Sequence, residues 1–172
     1  MPELNRRSFL GSAAALTLAA PGFARAQTGA PARGGVLKVS IDQAAAVINP
    51  LMTRVGSEYI TTEMLYSNLT QLNLDMTPAP DLALSWEAGD DLTEWTFRLR
   101  EGVTFHDGQP LTADDVVATF EAILNPDNAS PGRNNISFVQ AVAAKDDLTV
   151  VFTLTGPYAD FPVSVAYTNA RI

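Results

Sequence analysis

His106 is the only histidine in a chain that has no cysteine. Any histidine-based triad, general base or histidine metal cluster must therefore rest on this one imidazole. It stands in Phe105-His106-Asp107-Gly108, just ahead of Pro110, a composition that reads as a turn with the ring packed beside Phe105. Paired carboxylates, which can share a proton or hold a hard cation, occur at Asp90-Asp91, Asp114-Asp115 and Asp146-Asp147. Each pair coincides with a turn or a helix start, where aspartate serves local hydrogen bonding, so a structural role is expected of all three. The chain has no G-x-S-x-G, no phosphate-binding glycine loop and no H-E-x-x-H. No catalytic residue, metal ligand or cofactor is assigned. Trp86 and Trp95 could stack on a ligand, yet both lie in alternating stretches that point to the core.

Those stretches belong to a readable series of elements. Val36 to Ile41 alternates apolar with polar residues and is rich in β-branched side chains, which predicts a strand; Pro50 then biases Asn49 toward an extended or turn conformation and a loop. Tyr59, Ile60, Met64, Leu65 and Leu69 recur at helical spacing, which predicts one helix over Glu58–Leu69 with this face inward. Short extended pieces are expected near Thr70–Leu74 and Leu82–Ala88, separated by a break at Thr77-Pro78-Ala79-Pro80. Trp95, Phe97 and Leu99 alternate with Glu94, Thr96, Arg98 and Arg100, the pattern of a half-buried strand in an antiparallel hairpin.

Thr112-Ala113-Asp114-Asp115 opens the clearest helix. The Thr112 hydroxyl can accept from the amide three residues on, the aspartates complement the helix dipole, and Val116, Val117, Phe120, Ile123 and Leu124 line one face. Asn125-Pro126-Asp127 stops it, and a polar loop with Pro131 and Gly132 follows. Phe138–Ala143 and Leu148–Leu154, joined by Lys145-Asp146-Asp147, read as a second hairpin. The expected fold class is α+β, with a mostly antiparallel sheet and two helices.

The bulk composition sets limits on what such a domain does. The 172 residues are 47% apolar and 17% charged, with eight Phe, four Tyr and two Trp, a balance that specifies a packed core. Eleven Lys and Arg, adjacent only at Arg6-Arg7, against 19 acidic residues, for a net charge of −8, exclude the basic patch that nucleic-acid binding needs. The basic residues are also unevenly placed. Arg6 and Arg7 precede the mildly apolar run Ser12 to Ala20, then come Pro21 and Ala24-Arg25-Ala26, the order of a secretory signal cut after Ala26. Arg6-Arg7 followed by Ser8-Phe9-Leu10 resembles the motif read by the twin-arginine translocase, with Asn5 where Ser or Thr is commoner. The apolar run is far shorter than the ~20 residues that span a bilayer. Cleavage would leave an acidic, exported, cysteine-free chain.

The run Pro80-Asp81-Leu82-Ala83-Leu84-Ser85-Trp86-Glu87, then Trp95 to Glu101-Gly102-Val103-Thr104-Phe105-His106-Asp107-Gly108-Gln109-Pro110-Leu111-Thr112-Ala113-Asp114-Asp115-Val116, resembles the signature region of the family 5 solute-binding proteins. These are extracytoplasmic receptors of ABC importers for peptides, nickel complexes and related solutes. The likeness runs from about Gly35 to the last residue and includes Ile48-Asn49-Pro50-Leu51. It implies an accessory domain plus part of the first lobe of a bilobal, type II periplasmic-binding-protein-like fold, truncated before the second lobe. The ligand would be buried between lobes that close at a hinge. On this resemblance residues 1–26 are a twin-arginine-type signal peptide, 27–34 a tether, 35–49 a first-lobe segment, 50–158 the accessory domain and 159–172 the start of the return to the first lobe.

The family's ligand-facing loop falls on Thr53-Arg54-Val55-Gly56, so Arg54, Val55 and Gly56 are candidate ligand residues. A tyrosine that in the family often follows the Ser-Pro pair, and can touch peptide ligands, falls on Gly132, a departure from the pattern at a fourth candidate position. The resemblance implies a monomer in the periplasm that binds a peptide-like solute, works with ABC permease subunits, catalyses nothing, and meets the twin-arginine translocase during export. A ligand-sensing module for a membrane receptor and a truncated, inactive gene product are the alternatives it leaves open.

Overall fold

The alternation at Trp95, Phe97 and Leu99 produces one of the two inner strands of the main sheet. The structure is a computed structural model that describes residues 34–172; the expected signal peptide at 1–26 and most of the tether lie outside these residues. Strands β3 (Ala83–Ala88), β4 (Glu94–Leu99), β5 (Val139–Asp146) and β6 (Thr149–Leu154) form one sheet in the order β3-β4-β6-β5, antiparallel throughout. Both expected hairpins are therefore present, and the register sets Trp95 opposite Phe152 and Phe97 opposite Val150. Because successive side chains of a strand point to opposite faces, Phe97, Leu99, Val150, Phe152 and Leu154 share one face and are almost fully buried.

Helix α2 (Ala113–Leu124) covers that face against β5 and β6. Val116, Phe120 and Ile123 are completely buried, as their 3–4 residue spacing requires. Phe152 is the hub of the core: its ring centroid lies 4.9 Å from Phe120, 5.1 Å from Phe161 and 5.5 Å from Phe97, all edge to face. Such pairs contribute about 0.5–1.5 kcal/mol each beyond their area burial. Trp95 is buried against Phe161, and half-buried Trp86 stacks on Phe97 with centroids 6.2 Å apart. Both indoles are core residues. The short helix α3 (Phe161–Ser164) completes the layer by inserting Phe161.

Helix α2 opens with a capping box between Thr112 and Asp115. The Asp115 carboxylate accepts from both the Thr112 amide and the Thr112 hydroxyl, each at 2.8 Å, so the hydroxyl acts here as a donor. At the other end Arg133 donates through Nε to the Leu124 carbonyl at 2.9 Å, capping the negative end of the dipole.

Three expectations are corrected. First, residues 36–41 form no strand: Val36 and Leu37 are 88% and 87% exposed, and no described strand pairs with them. Alternation makes a segment competent for a sheet, but a strand exists only where a partner supplies the ladder. Second, Pro78–Pro80 is not a break but strand β2, paired antiparallel with β1 (Thr70–Leu72) in a separate two-stranded ribbon. Proline is tolerated there because each strand of the ribbon has one free edge.

Third, the helix expected over Glu58–Leu69 is α1, Gly56–Glu63. Its buried positions are Ser57, Glu58 and Thr62, while Ile60, Met64 and Leu65 face solvent. The polar face turns inward because the buried Arg171 side chain hydrogen-bonds to the Tyr59 carbonyl and the Thr62 hydroxyl.

The turn from β1 to β2 carries a strained residue. Met76 has φ 66, a left-handed conformation that costs a non-glycine residue roughly 1–2 kcal/mol. It is held there by its amide bond to the Asn73 carbonyl at 2.9 Å and by the Asp75 carboxylate, which accepts from the Thr77 amide and hydroxyl. Its side chain is 62% exposed and contributes little packing. Met76→Gly should therefore raise stability by about 0.5–1 kcal/mol, after the greater freedom of glycine in the unfolded chain is deducted, as a higher urea midpoint at unchanged slope.

Candidate functional site

Three segments distant in sequence meet beside the sheet: the loop and helix from Asn49 to Glu63, the turns from Asn125 to Ile136, and the tail from Asn169 to Arg171. Proline sets the local geometry of the first two. Pro50 opens a 3-10 turn, Pro50–Met52, with the Asn49 side chain accepting from the Leu51 amide at 3.0 Å. Pro131 opens another, Pro131–Ile136, where the Ser130 hydroxyl accepts from the Gly132 amide at 3.3 Å. The same Ser130 hydroxyl donates to the Leu51 carbonyl at 2.6 Å and so ties one turn to the other across 79 residues of sequence.

Arg54, Val55 and Gly56 lie together on the surface at the start of α1. The Glu58 carboxylate folds back to accept from the Arg54 amide at 2.8 Å and the Val55 amide at 3.4 Å. The positive end of the α1 dipole thus already faces a carboxylate, and the cation left for a solute is the Arg54 side chain itself. Its Nη2 donates to the Ala129 carbonyl at 3.2 Å. Ala129 is left-handed, with φ 48, at the close of the turn Pro126–Asn128. A guanidinium carries five donors; the one used for Ala129 fixes the side chain, and the remaining donors suit a carboxylate.

Gly132, expected on the ligand face by position, is buried instead. A Cβ at this residue would lie 2.6 Å from the Asn169 Cβ, closer than packed carbons approach. Glycine is required here for the close passage of the tail and not for reach toward a ligand. Asn169 links the two regions: it packs against Gly132 on one side and bonds to Thr53, next to Arg54, on the other.

His106 occupies an exposed turn, where the Asp107 carboxylate accepts from the Gln109 amide at 3.0 Å and Gly108 has φ 88. It lines an open groove of about 410 Å³ with Leu65, Tyr66, Leu82, Phe105 and Ile172. Among the described residues no group of three His, Cys, Asp or Glu side chains could hold a metal ion. The acidic pairs act locally, as expected: Asp91 accepts from the Thr93 amide at 3.0 Å and Asp146 from the Leu148 amide at 2.9 Å. Hydrogen bonds from Thr93, its hydroxyl first, hold the Asp91 carboxyl below the usual carboxylate range. The Leu148 amide, followed by the Thr149 hydroxyl, does the same for Asp146. A carboxylate dyad pushes one pKa upward, so these shifts run opposite to what general acid catalysis needs.

The residues that build this region and that the sequence reading missed are Glu58, Ser130, Asn169 and Arg171. Each is polar and almost fully buried. Periodicity cannot find them, because it registers apolar repeats; the only signal was an Asn and an Arg set in the otherwise apolar and small tail after Phe161.

An exposed arginine anchored to an α+β scaffold can hold an anionic group. The fold that carries it is that of part of a type II periplasmic binding protein. The PBP AgaA of A. tumefaciens R10, solved in complex with agropinic acid, superimposes with a TM-score of 0.70 at 29% identity, over 74% of this chain and 26% of that one. Residues 77–172 match the family profile of bacterial extracellular solute-binding proteins, family 5 Middle, and the chain belongs to that family.

Among curated relatives it is 31% identical over 157 residues to a protein of Sinorhizobium fredii named "Probable peptide ABC transporter periplasmic-binding protein y4tO", covering 91% of this chain and 29% of the relative. It is 32% identical over 143 residues to the dipeptide-binding protein of Escherichia coli, covering 72% and 27%. The chain thus spans less than a third of the length of the relatives it matches. The family is one of solute-binding proteins and not of enzymes.

Proposed function

We propose that this chain is part of the periplasmic solute-binding component of an ABC importer for peptides or related small solutes. The observation that carries the reading is the match of residues 77–172 to the family 5 solute-binding profile; the exposed Arg54-Val55-Gly56 loop, anchored by its own helix and by the Ala129 carbonyl, supports it as a place to hold an anionic solute. The names of the curated relatives support peptides as the solute class. In this reading Arg54 pairs with a solute carboxylate, Val55 and Gly56 line the cleft wall, and Gly132 lets the scaffold pack closely behind them. Residues 50–158 form the accessory domain, flanked by first-lobe segments at 35–49 and 159–172. Binding uses no cofactor and breaks no bond. The loaded protein, a monomer, meets the permease subunits outside the cytoplasm, having been exported by the twin-arginine translocase on residues 1–26 with a tether at 27–34.

Calorimetric titration of the full-length gene product with a panel of short peptides tests this reading. Saturable one-to-one binding with a dissociation constant of ~1 µM is expected, and residues 27–172 alone bind the same peptides negligibly, because a cleft ligand needs both walls. A full-length product that binds no peptide or related solute overturns it.

A further inference from the structure

The tail that follows α3 makes an unusual number of buried polar bonds to the loop and helix carrying Arg54. Asn169, 5% exposed, donates through Nδ2 to the Pro50 carbonyl at 3.0 Å, the Thr53 carbonyl at 3.1 Å and the Thr53 hydroxyl at 2.9 Å. Two residues on, Arg171 donates through Nη1 to the Tyr59 carbonyl at 3.0 Å and the Thr62 hydroxyl at 2.9 Å, and its Nη2 lies 3.8 Å from the Glu63 carboxylate. The first side chain therefore grips the loop ahead of α1 and the second grips the last turn of α1. Between the two grips lie Arg54, Val55 and Gly56, exposed and without bulky packing of their own.

We infer that Asn169 and Arg171 form a two-point latch that positions the Arg54–Gly56 loop, with Gly132 as the gap that lets the latch seat. Three features support this against simple core filling. Both side chains bond to backbone carbonyls of the loop and helix they hold, so they constrain main-chain path and not just volume. Thr53 is completely buried directly beneath exposed Arg54, so a shift of its carbonyl moves the arginine. Position 132 admits no side chain while Asn169 is present, because their Cβ atoms would stand 2.6 Å apart.

The latch deepens the solute-binding reading and owes its purpose to it, but its existence is a property of the unliganded chain and is tested there. Hydrogen exchange of the 172-residue protein reads the opening of individual amides. Asn169→Asp keeps the shape of the side chain and replaces its two N–H donors by a carboxylate that faces the Pro50 and Thr53 carbonyls. Both Asn169→Asp and Asn169→Ala should speed exchange at the Arg54 and Val55 amides by about tenfold or more, while the amides of β4 and β6 exchange as in the parent.

Gly132→Ala should produce the same local opening by displacing the Asn169 side chain. In Gly132→Ala combined with Asn169→Gly, the alanine should add no further opening to that caused by Asn169→Gly alone. Unchanged exchange at Arg54 and Val55 in Asn169→Asp overturns the latch, as does acceleration spread equally over the sheet, or additive effects of the two replacements. None of these results bears on whether the full-length product binds peptides, so a failed latch and a failed solute-binding reading are told apart.

Discussion

Phe152→Ala is expected to lower the free energy of unfolding by about 3–5 kcal/mol, read as a fall in urea midpoint. Phe152 is fully buried in β6, one of the two inner strands, and its ring meets Phe97 on the neighbouring strand, Phe120 on α2 and Phe161 on α3. The cavity left by alanine would border all these elements, and none of them can close it without leaving its own register. A conservative Phe152→Leu keeps most of the volume and should cost well under half as much. Equal stability of Phe152→Ala and the parent would mean that sheet and helices are not packed as described here.

The second large effect is expected at Arg171. Its side chain is 4% exposed, and burial lowers the guanidinium pKa, with Glu63 and Asp81 opposing that shift. Burial of a cation is unfavourable unless its donors are used, and here Nη1 meets the Tyr59 carbonyl and the Thr62 hydroxyl. Arg171→Met preserves an unbranched apolar stem but leaves those two acceptors without that donor. A loss of about 2–3 kcal/mol is expected from the unpaired groups, again as a lower urea midpoint. The Glu63 contact adds little, since that carboxylate is 73% exposed at 3.8 Å. Glu63→Gln should accordingly leave the midpoint almost unchanged.

These two sites differ in how far the sequence exposes them. Phe152, Phe97 and Phe120 follow from apolar periodicity: period two in β4 and β6, and a 3–4 residue repeat in α2, each bounded by turn residues; Phe161, on a four-residue helix too short for a period, does not. The same pattern carries both hairpins and the core roles of Trp86 and Trp95. Arg171 and Asn169 follow from nothing local, because their partners lie more than 100 residues away in sequence. For this reason the inward face of α1 does not follow from periodicity: Met64 and Leu65 fit a helical stripe, but tertiary bonds to Thr62 and to the Tyr59 carbonyl outweigh it. Val36–Ile41 misled in the opposite way, since its alternation is real and its pairing partner is absent from the described residues. Of the candidate site, Arg54, Val55 and Gly56 were reached only through the family resemblance, and the burial of Gly132 only through its contact with Asn169.

A crystal structure of the full-length product with a bound peptide addresses the claim on which the functional account stands. The solute should be enclosed with atoms within about 4 Å of the Arg54–Gly56 loop, its carboxylate turned to the guanidinium and its covalent structure intact. A peptide held elsewhere, out of reach of this loop, or found cleaved, would contradict the account.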